Sequence, residues 1–270
     1  MRSLLFNIFF WIITALYAIV CVILSLLPGR KIMMGSLRRY TRLMVWGMRV
    51  IAGIKVQVTG HEHIPTDGPV IIAAKHQSYG DGFVVFSQFF DLSFVTGDAI
   101  TKFLFIGRIL DKAGAVVINN CGGEDQRKKM AETSAIVREQ GRRLLIYPEG
   151  HLSKIGTQHK YRKGVYHLYK DFGCPVVPLA SNLGQRWNQN DWIKHPGPAN
   201  LEFLPPIMPG LSKDEFMARL ESDIETRSIA LLDLENLGAL NPDDIGKVEE
   251  NDVARAKREA REKEREAEGE

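Results

Sequence analysis

The chain has 270 residues, a formal charge of +3 and three cysteines. That length suits one α/β domain with additions rather than two full domains, and a charge of that size decides little about partners; no nucleic acid is expected. Cys21, Cys121 and Cys174 have neither metal-ligand nor redox spacing, and their odd number argues against a disulfide framework, so the main domain is expected in a reducing compartment.

From Leu4 to Leu27 the chain is apolar apart from Asn7, Thr14 and Ser25, which exceeds the roughly 20 residues needed to span a bilayer. Pro28-Gly29-Arg30-Lys31 follows directly where a signal peptide would carry a small-residue cleavage site, so the segment is expected to be retained. Arg30, Lys31, Arg38, Arg39 and Arg42 outweigh Arg2 on the other flank, which places the rest of the chain on the cytoplasmic face. Leu37 to Met48 alternates basic and apolar residues at helical spacing, as an amphipathic helix does that either lies among lipid headgroups or packs on the domain. The expected organisation is membrane-anchoring helices in 1–50, a main domain in 51–235 and a charged tail in 236–270, solvated on every side from Glu249 onward.

Within the main domain, Ile54–Val58 alternates as a half-buried strand ended by Thr59-Gly60. His61 and His63 follow at i and i+2, but no further ligand lies near in sequence, so they read as loop residues and no metal is expected. Pro69–Ala74 is a short, β-branched apolar run after the turn signal Pro65-Thr66-Asp67-Gly68, as in a strand covered on both faces. Directly after it comes Lys75-His76-Gln77-Ser78-Tyr79-Gly80-Asp81. In a helix, residues i and i+5 point in directions roughly 140° apart, so His76 and Asp81 meet only if a loop or tight turn joins them, which Gly80 eases. Paired, the carboxylate would fix the imidazole tautomer and leave the other nitrogen free to take a proton from a hydroxyl. The alternative is a strand-end histidine on backbone and an Asp81 that caps the next helix.

A helix over Phe83–Phe90, a strand at Ser93–Thr96, a short apolar segment over Thr101–Leu110 and a strand at Gly114–Ile118 come next. Glu124–Gln140 reads as a helix with Met130, Ile136 and Val137 inward and Gly141 as its C-cap. Arg143–Tyr147 is a strand running into Pro148-Glu149-Gly150, and the basic, aromatic stretch Lys154–Lys170 puts Lys160, Arg162 and Lys163 against a phosphate, a membrane surface or plain solvent. Cys174–Ala180 is a strand, and Trp187 and Trp192 in the loop after it sit at a membrane interface or pack. Asn200–Leu204 alternates as an edge strand, and Ser212-Lys213-Asp214-Glu215 fits a capping box for a helix from about Phe216. Strands alternating with helices imply an α/β fold with a mostly parallel central sheet flanked by helices, preceded by an N-terminal hydrophobic membrane helix and a second amphipathic helix. In such sheets ligands bind beyond the carboxyl ends of the strands, where His76 and Glu149 would both lie.

Val58–Pro65, then Lys75–Asp81, Gly114–Asn120, Tyr147–Gly150 and Val176–Pro178 together resemble the four ordered motifs of the glycerolipid acyltransferase family, most closely its bacterial 1-acyl-sn-glycerol-3-phosphate acyltransferases, over about residues 51–232. The resemblance implies acyl transfer from a thioester on coenzyme A or acyl carrier protein to the free hydroxyl of a membrane lysolipid, leading to phosphatidic acid, with no cofactor. His76 would then be the base, Asp81 its orienting partner, Glu149 and Gly150 acceptor-binding residues and His151 a further acceptor contact or a plain loop histidine. Donors to the tetrahedral intermediate would be backbone N–H groups near the Asp81 turn or Gly150. Two positions depart from the family pattern: Asn120 stands where an arginine commonly meets the acceptor phosphate, and His151-Leu152 stand where threonine and arginine commonly follow Glu-Gly. Arg108, Lys112, Lys154, Arg162 or Lys163 would have to supply the missing charge. Otherwise the acceptor is a lysolipid without a phosphomonoester, such as a lyso-ornithine lipid or a lysophosphodiester, or the fold binds lipid without catalysis.

Overall fold

The computed structural model describes residues 1–102, 105–118, 124–189 and 192–249. Its strands are β1 (Ile54–Thr59), β2 (Val70–Ala74), β3 (Ser93–Gly97), β4 (Val116–Ile118), β5 (Arg143–Ile146), β6 (Gln158–His159), β7 (Val176–Ser181), β8 (Gly197–Phe203) and β9 (Val248–Glu249). Seven of them form one sheet in the order β1-β8-β7-β2-β5-β3-β4, in which only the β7/β8 pair is antiparallel. β2 is central, with Ile72 opposite Leu145 on one side and Val177 on the other. All five of its residues are buried, as a β-branched run without alternation requires.

The helices are α1 (Arg2–Leu26), α2 (Lys31–Gly47), α3 (Gly80–Gln88), α4 (Ile106–Ala113), α5 (Glu124–Glu139), α6 (Gly164–Phe172) and α7 (Lys213–Ala230). Because side chains alternate along a strand, Val70, Ile72 and Ala74 face one layer, with Phe6, Met48, Val84, Val85 and Trp187. Ile71 and Ala73 face the other, with Met130, Val137, Leu168, Phe216, Leu220 and Ile224. This is the expected mostly parallel sheet between helical layers.

The structure corrects several local expectations. The strand at 197–203 lies between β1 and β7, not at an edge; it alternates because Ala199, Leu201 and Phe203 face the core while Pro198, Asn200 and Glu202 do not. Ile136 is more than half exposed, whereas Met130 and Val137 are buried. The capping box is present, with Ser212 and Glu215 bonded reciprocally, and α7 starts at once at Lys213. Residues 236–249 are no free tail: the Ala239 N–H donates to the Gln185 carbonyl, and β9 pairs with β6. The rest of the tail lies outside the described residues.

Nor is the N-terminal segment a unit apart. α1 is long and apolar enough to cross a membrane, about 37 Å at 1.5 Å per residue, but it lies along the body. Near its start the Ser3 hydroxyl accepts from the Lys194 N–H at 3.0 Å, and the Asn7 amide donates to the Trp192 carbonyl at 3.0 Å. Phe6 is fully buried against Trp187, and Thr14 and Tyr40 share a hydrogen bond at 2.8 Å. At its end the Lys112 ammonium donates to the Leu24 carbonyl at 2.8 Å. Its outer side exposes Leu4, Ile8, Trp11, Ile12, Leu16, Ile19 and Ile23. α2 packs against α3, and its Met33 and Met34 are buried with Leu24 of α1 and Ala113 of α4.

Candidate active site

β2 ends at Ala74, and the next five residues turn back into α3. The Asp81 carboxylate organises that turn. Its Oδ2 accepts the N–H groups of Gln77 and Ser78, both at 2.8 Å, and lies 3.2 Å from His76 Nδ1. Its Oδ1 accepts the Ser181 hydroxyl at 3.3 Å. Asp81 sits in the first turn of α3, where a carboxylate suits the helix dipole, yet it is no N-cap: it reaches back to the loop before it. Gly80 is needed for space rather than for flexibility, because a Cβ there would meet Leu183 and Trp187 at 3.0 Å.

His76 is held on three further sides. Its ring stacks on Tyr147, with centroids 3.8 Å apart and planes 17° apart. Its N–H donates to Glu149 Oε1 at 2.8 Å, and its carbonyl accepts the Ser153 N–H and hydroxyl at 2.7 and 3.0 Å. With Nδ1 donating to a buried carboxylate, Nε2 is the basic nitrogen. The imidazole keeps 21% of its side-chain surface accessible while Asp81 keeps 1%, so the pair presents the base to a ligand and hides the charge that orients it.

The imidazole opens into a cavity of about 660 Å³ walled largely by apolar groups, among them Leu37 and Tyr40 of α2, Phe83 and Phe86 of α3, Phe94, Ile118 and Met130. Volume and lining suit a mostly apolar ligand with one reacting polar end. Gly150, His151 and Arg162 line the same cavity. Gly150 has φ +73°, and a Cβ there would lie 2.3 Å from Arg162 Nε; the guanidinium therefore crosses the glycine, and any other residue would push it away. Among the described residues Arg162 is the one arginine or lysine on the cavity wall.

Other residues named from the sequence lie elsewhere. Arg108 Nε and Lys112 Nζ both donate to the Ser25 carbonyl, so these cations meet the C-terminal carbonyls of α1 and are not part of the cavity wall. They do what basic residues at a helix C-terminus do. Lys154 pairs with Asp244 at 2.6 Å. Lys163 precedes α6, exposed, and is not part of the cavity wall. Asn120 lies outside the described residues. His61 bonds to Gln88 at 3.1 Å, and His63 to the Phe203 carbonyl at 2.8 Å.

Glu149 departs most from expectation. It is fully buried; one oxygen holds the His76 N–H and the other lies 3.3 Å from Lys75 Nζ. It shapes the loop and offers no oxygen to the cavity. The N–H groups expected to stabilise an oxyanion are likewise engaged: those of Gln77 and Ser78 by Asp81, that of Gly80 by the Ser78 hydroxyl, and that of Gly150 by the Tyr147 carbonyl.

Behind the loop lies a polar cluster that the sequence did not reveal. Lys75, 1% exposed, donates to both Glu225 oxygens at 2.8 Å and to the Thr157 carbonyl at 3.2 Å, and Tyr161 donates to Glu225 at 2.8 Å. Burial pulls the Lys75 ammonium down, but Glu149 and Glu225 together outweigh it and the group lies above the ordinary lysine range. Burial, then the neighbouring Glu149, pushes the Glu225 carboxyl up against the opposing pull of Lys75. Tyr147 lies well above the ordinary phenol range through burial and then the Asp81 charge; its hydroxyl has no hydrogen-bond partner among the described residues. A signal for part of this was present: Phe216, Leu220, Ile224 and Ser228 recur every four residues on α7, with Glu225 beside them.

Known proteins resemble this chain in sequence and in fold. The profile of the Acyltransferase family matches residues 55–182. A 1-acyl-sn-glycerol-3-phosphate acyltransferase of Pseudomonas aeruginosa is 32% identical over 175 residues, 65% of this chain and 68% of that protein. One from Limnanthes douglasii is 25% identical over 201 residues, 73% and 69% of the two chains. The crystal structure of the 1-acyl-sn-glycerophosphate (LPA) acyltransferase PlsC from Thermotoga maritima superposes with a TM-score of 0.69 at 20% identity, covering 86% of this chain and 98% of that one.

Proposed function

Because the chain belongs to the Acyltransferase family, we propose that it moves a fatty acyl group from a thioester to the free hydroxyl of 1-acyl-sn-glycerol 3-phosphate, giving phosphatidic acid. The observation that carries this reading is the His76–Asp81 pair opening into an apolar cavity of about 660 Å³ whose wall includes Arg162. His76 Nε2 takes the proton of the lysolipid hydroxyl as its oxygen attacks the thioester carbonyl carbon, and Asp81 stabilises the imidazolium that forms. The tetrahedral intermediate collapses, its carbon–sulfur bond breaks, and the imidazolium returns its proton to the departing thiolate. Direct transfer needs no acyl-enzyme nucleophile and no cofactor. Donor and acceptor held in one cleft supply the proximity that replaces it.

Arg162 gives the acceptor phosphate a forked, charge-assisted donor set, with His151 beside it on the wall. It stands in for the arginines expected at Asn120 and Leu152. The exposed apolar side of α1 faces lipid with the helix lying in the plane of the membrane, since its two ends are bonded to one body. α2 contributes to both this anchor and the cavity wall, which gives the acyl chain of a membrane lysolipid a short route inward.

The test is radiolabelled acyl transfer by the full chain in detergent, from acyl-coenzyme A and acyl carrier protein, to a panel of lysolipids. Rapid acylation of lysophosphatidic acid, lost in His76→Ala, is the expected result. Turnover confined to a lysolipid without a phosphomonoester would move the substrate and keep the chemistry, and transfer to none would overturn the enzymatic reading.

A further inference from the structure

Two polar chains leave one face of α7 and end on the two members of the His76–Asp81 pair. The first runs from Glu225 to Lys75 with two contacts of 2.8 Å, from Lys75 to Glu149 at 3.3 Å, and from Glu149 to the His76 N–H at 2.8 Å. The second runs from the Ser228 hydroxyl, which accepts the Ser181 N–H at 3.2 Å, through the Ser181 hydroxyl to Asp81 Oδ1 at 3.3 Å. Glu225 and Ser228 are 6% and 3% exposed, three residues apart and so on one side of the helix. Their neighbours on that side, Phe216, Leu220 and Ile224, are fully buried and apolar.

Apolar residues in place of the whole Lys75–Glu225 pair would anchor α7 about as well, because a buried ion pair seldom stabilises more than the apolar contacts that could replace it. The carboxylate instead fixes directions. Lys75 has two acidic partners, and Glu225 holds its ammonium by both oxygens together with the Thr157 carbonyl. Glu149 is thereby left with one oxygen toward Lys75 and the other toward the His76 N–H. Without Glu225, Lys75 would keep Glu149 as its one acidic partner beside the Thr157 carbonyl, and the oxygen that sets the His76 backbone would be contested. Helix α7 lies beyond residues 55–182, the stretch that matches the family profile.

We infer that Glu225 and Ser228 of α7 are positioning residues for acyl transfer: through Lys75–Glu149 and through Ser181 they set the relative placement of the His76 imidazole and the Asp81 carboxylate. This rests on the reading of that pair as the catalytic one. α7 is then part of the active-site frame, and a small shift of the helix moves both members of the pair.

The experiment uses the full chain in detergent micelles, with oleoyl-coenzyme A and 1-oleoyl lysophosphatidic acid, and compares Glu225→Ala, Ser228→Ala, the double variant and Glu225→Gln. Glu225→Ala is expected to lower kcat at least about tenfold with KM for the lysolipid within about twofold, and the double variant to lower it further. Glu225→Gln, which keeps an acceptor for Lys75 and Tyr161, is expected to recover most of the loss. Carbethoxylation of His76 by diethyl pyrocarbonate, followed by peptide mass spectrometry at one pH, reads the imidazole without turnover. Its rate should change at least about threefold in Glu225→Ala and return toward the parent value in Glu225→Gln. Thermal midpoints establish that each variant is folded at the assay temperature. Unchanged kcat and His76 reactivity in folded Glu225→Ala would overturn the inference, as would a Glu225→Gln variant no better than Glu225→Ala. Full activity of His76→Ala in the same assay would instead overturn the catalytic pair itself.

Discussion

Asp81→Asn separates the charge of Asp81 from its shape. The side chain is buried, and Asn fills the same volume. Its oxygen can take over from Oδ2 the N–H groups of Gln77 and Ser78 and the His76 Nδ1–H, while its amide nitrogen faces the Ser181 hydroxyl. The loop geometry and the His76 tautomer therefore survive, and what is lost is the negative charge 3.2 Å from an imidazole that becomes cationic as the hydroxyl is deprotonated. At an effective dielectric of about 20 that interaction is worth roughly 5 kcal/mol. The imidazole is 21% exposed, so solvent trims it to about 3–4 kcal/mol, or about a hundredfold to a thousandfold in kcat. The exchange of charged for neutral hydrogen bonds costs about 1–2 kcal/mol of stability, too little to unfold the chain at assay temperature. Initial rates with lysophosphatidic acid, with saturation of both substrates, should show the loss in kcat and KM within about threefold. An Asp81→Asn enzyme retaining more than a tenth of kcat would refute the role assigned to the charge.

Arg162→Met should raise KM for lysophosphatidic acid at least about tenfold, and Gly150→Ala, whose new Cβ falls 2.3 Å from Arg162 Nε, should do the same without touching the charge; a KM unchanged from the parent in both would remove Arg162 from phosphate binding. Lys112→Met should leave that KM unchanged and loosen α1, lowering stability by about 1–2 kcal/mol in urea titrations, whereas a KM effect would restore its candidacy as an acceptor ligand. Tyr147→Phe keeps the stack on His76 and deletes a hydroxyl without a described partner, so the thermal midpoint should hold or rise by about 2–4 °C for a gain near 1 kcal/mol; a fall would reveal a partner. Lys75, Tyr147 and Tyr161 all bind their protons more tightly folded than unfolded, so the stability they contribute is complete below the unfolded values, about pH 10, and drains away as pH rises through the folded ones. Urea midpoints from pH 8 to 11 should fall over the last unit or two, and a flat profile would contradict this.

Sequence was most informative where a single local pattern decides the outcome. The apolar run without alternation placed β2, because a parallel strand buried on both faces reads as a short, β-branched segment. The capping box marked the start of α7 because Ser212 and Glu215 each satisfy the other's backbone N–H. His76 and Asp81 stood out as a pair only through the resemblance of the motifs around them, since their spacing alone left a strand-end histidine and a helix cap open. Reading failed where a side chain's partner comes from far along the chain. Basic residues near the site looked interchangeable as phosphate ligands, yet Lys112 meets carbonyls 85 to 88 residues away and Lys154 meets Asp244.

What the sequence by itself determined is therefore the class of sheet, the apolar N-terminal helix and the cap of α7, since each follows from residues adjacent in the chain. Only the tertiary structure decided that α1 lies along the body, that Glu149 faces inward, that Arg162 crosses Gly150, and that α7 stands behind the catalytic loop. Those outcomes depend on which buried polar groups find each other. Lys75 is 150 residues from Glu225, and a buried ammonium must have partners wherever the fold brings them.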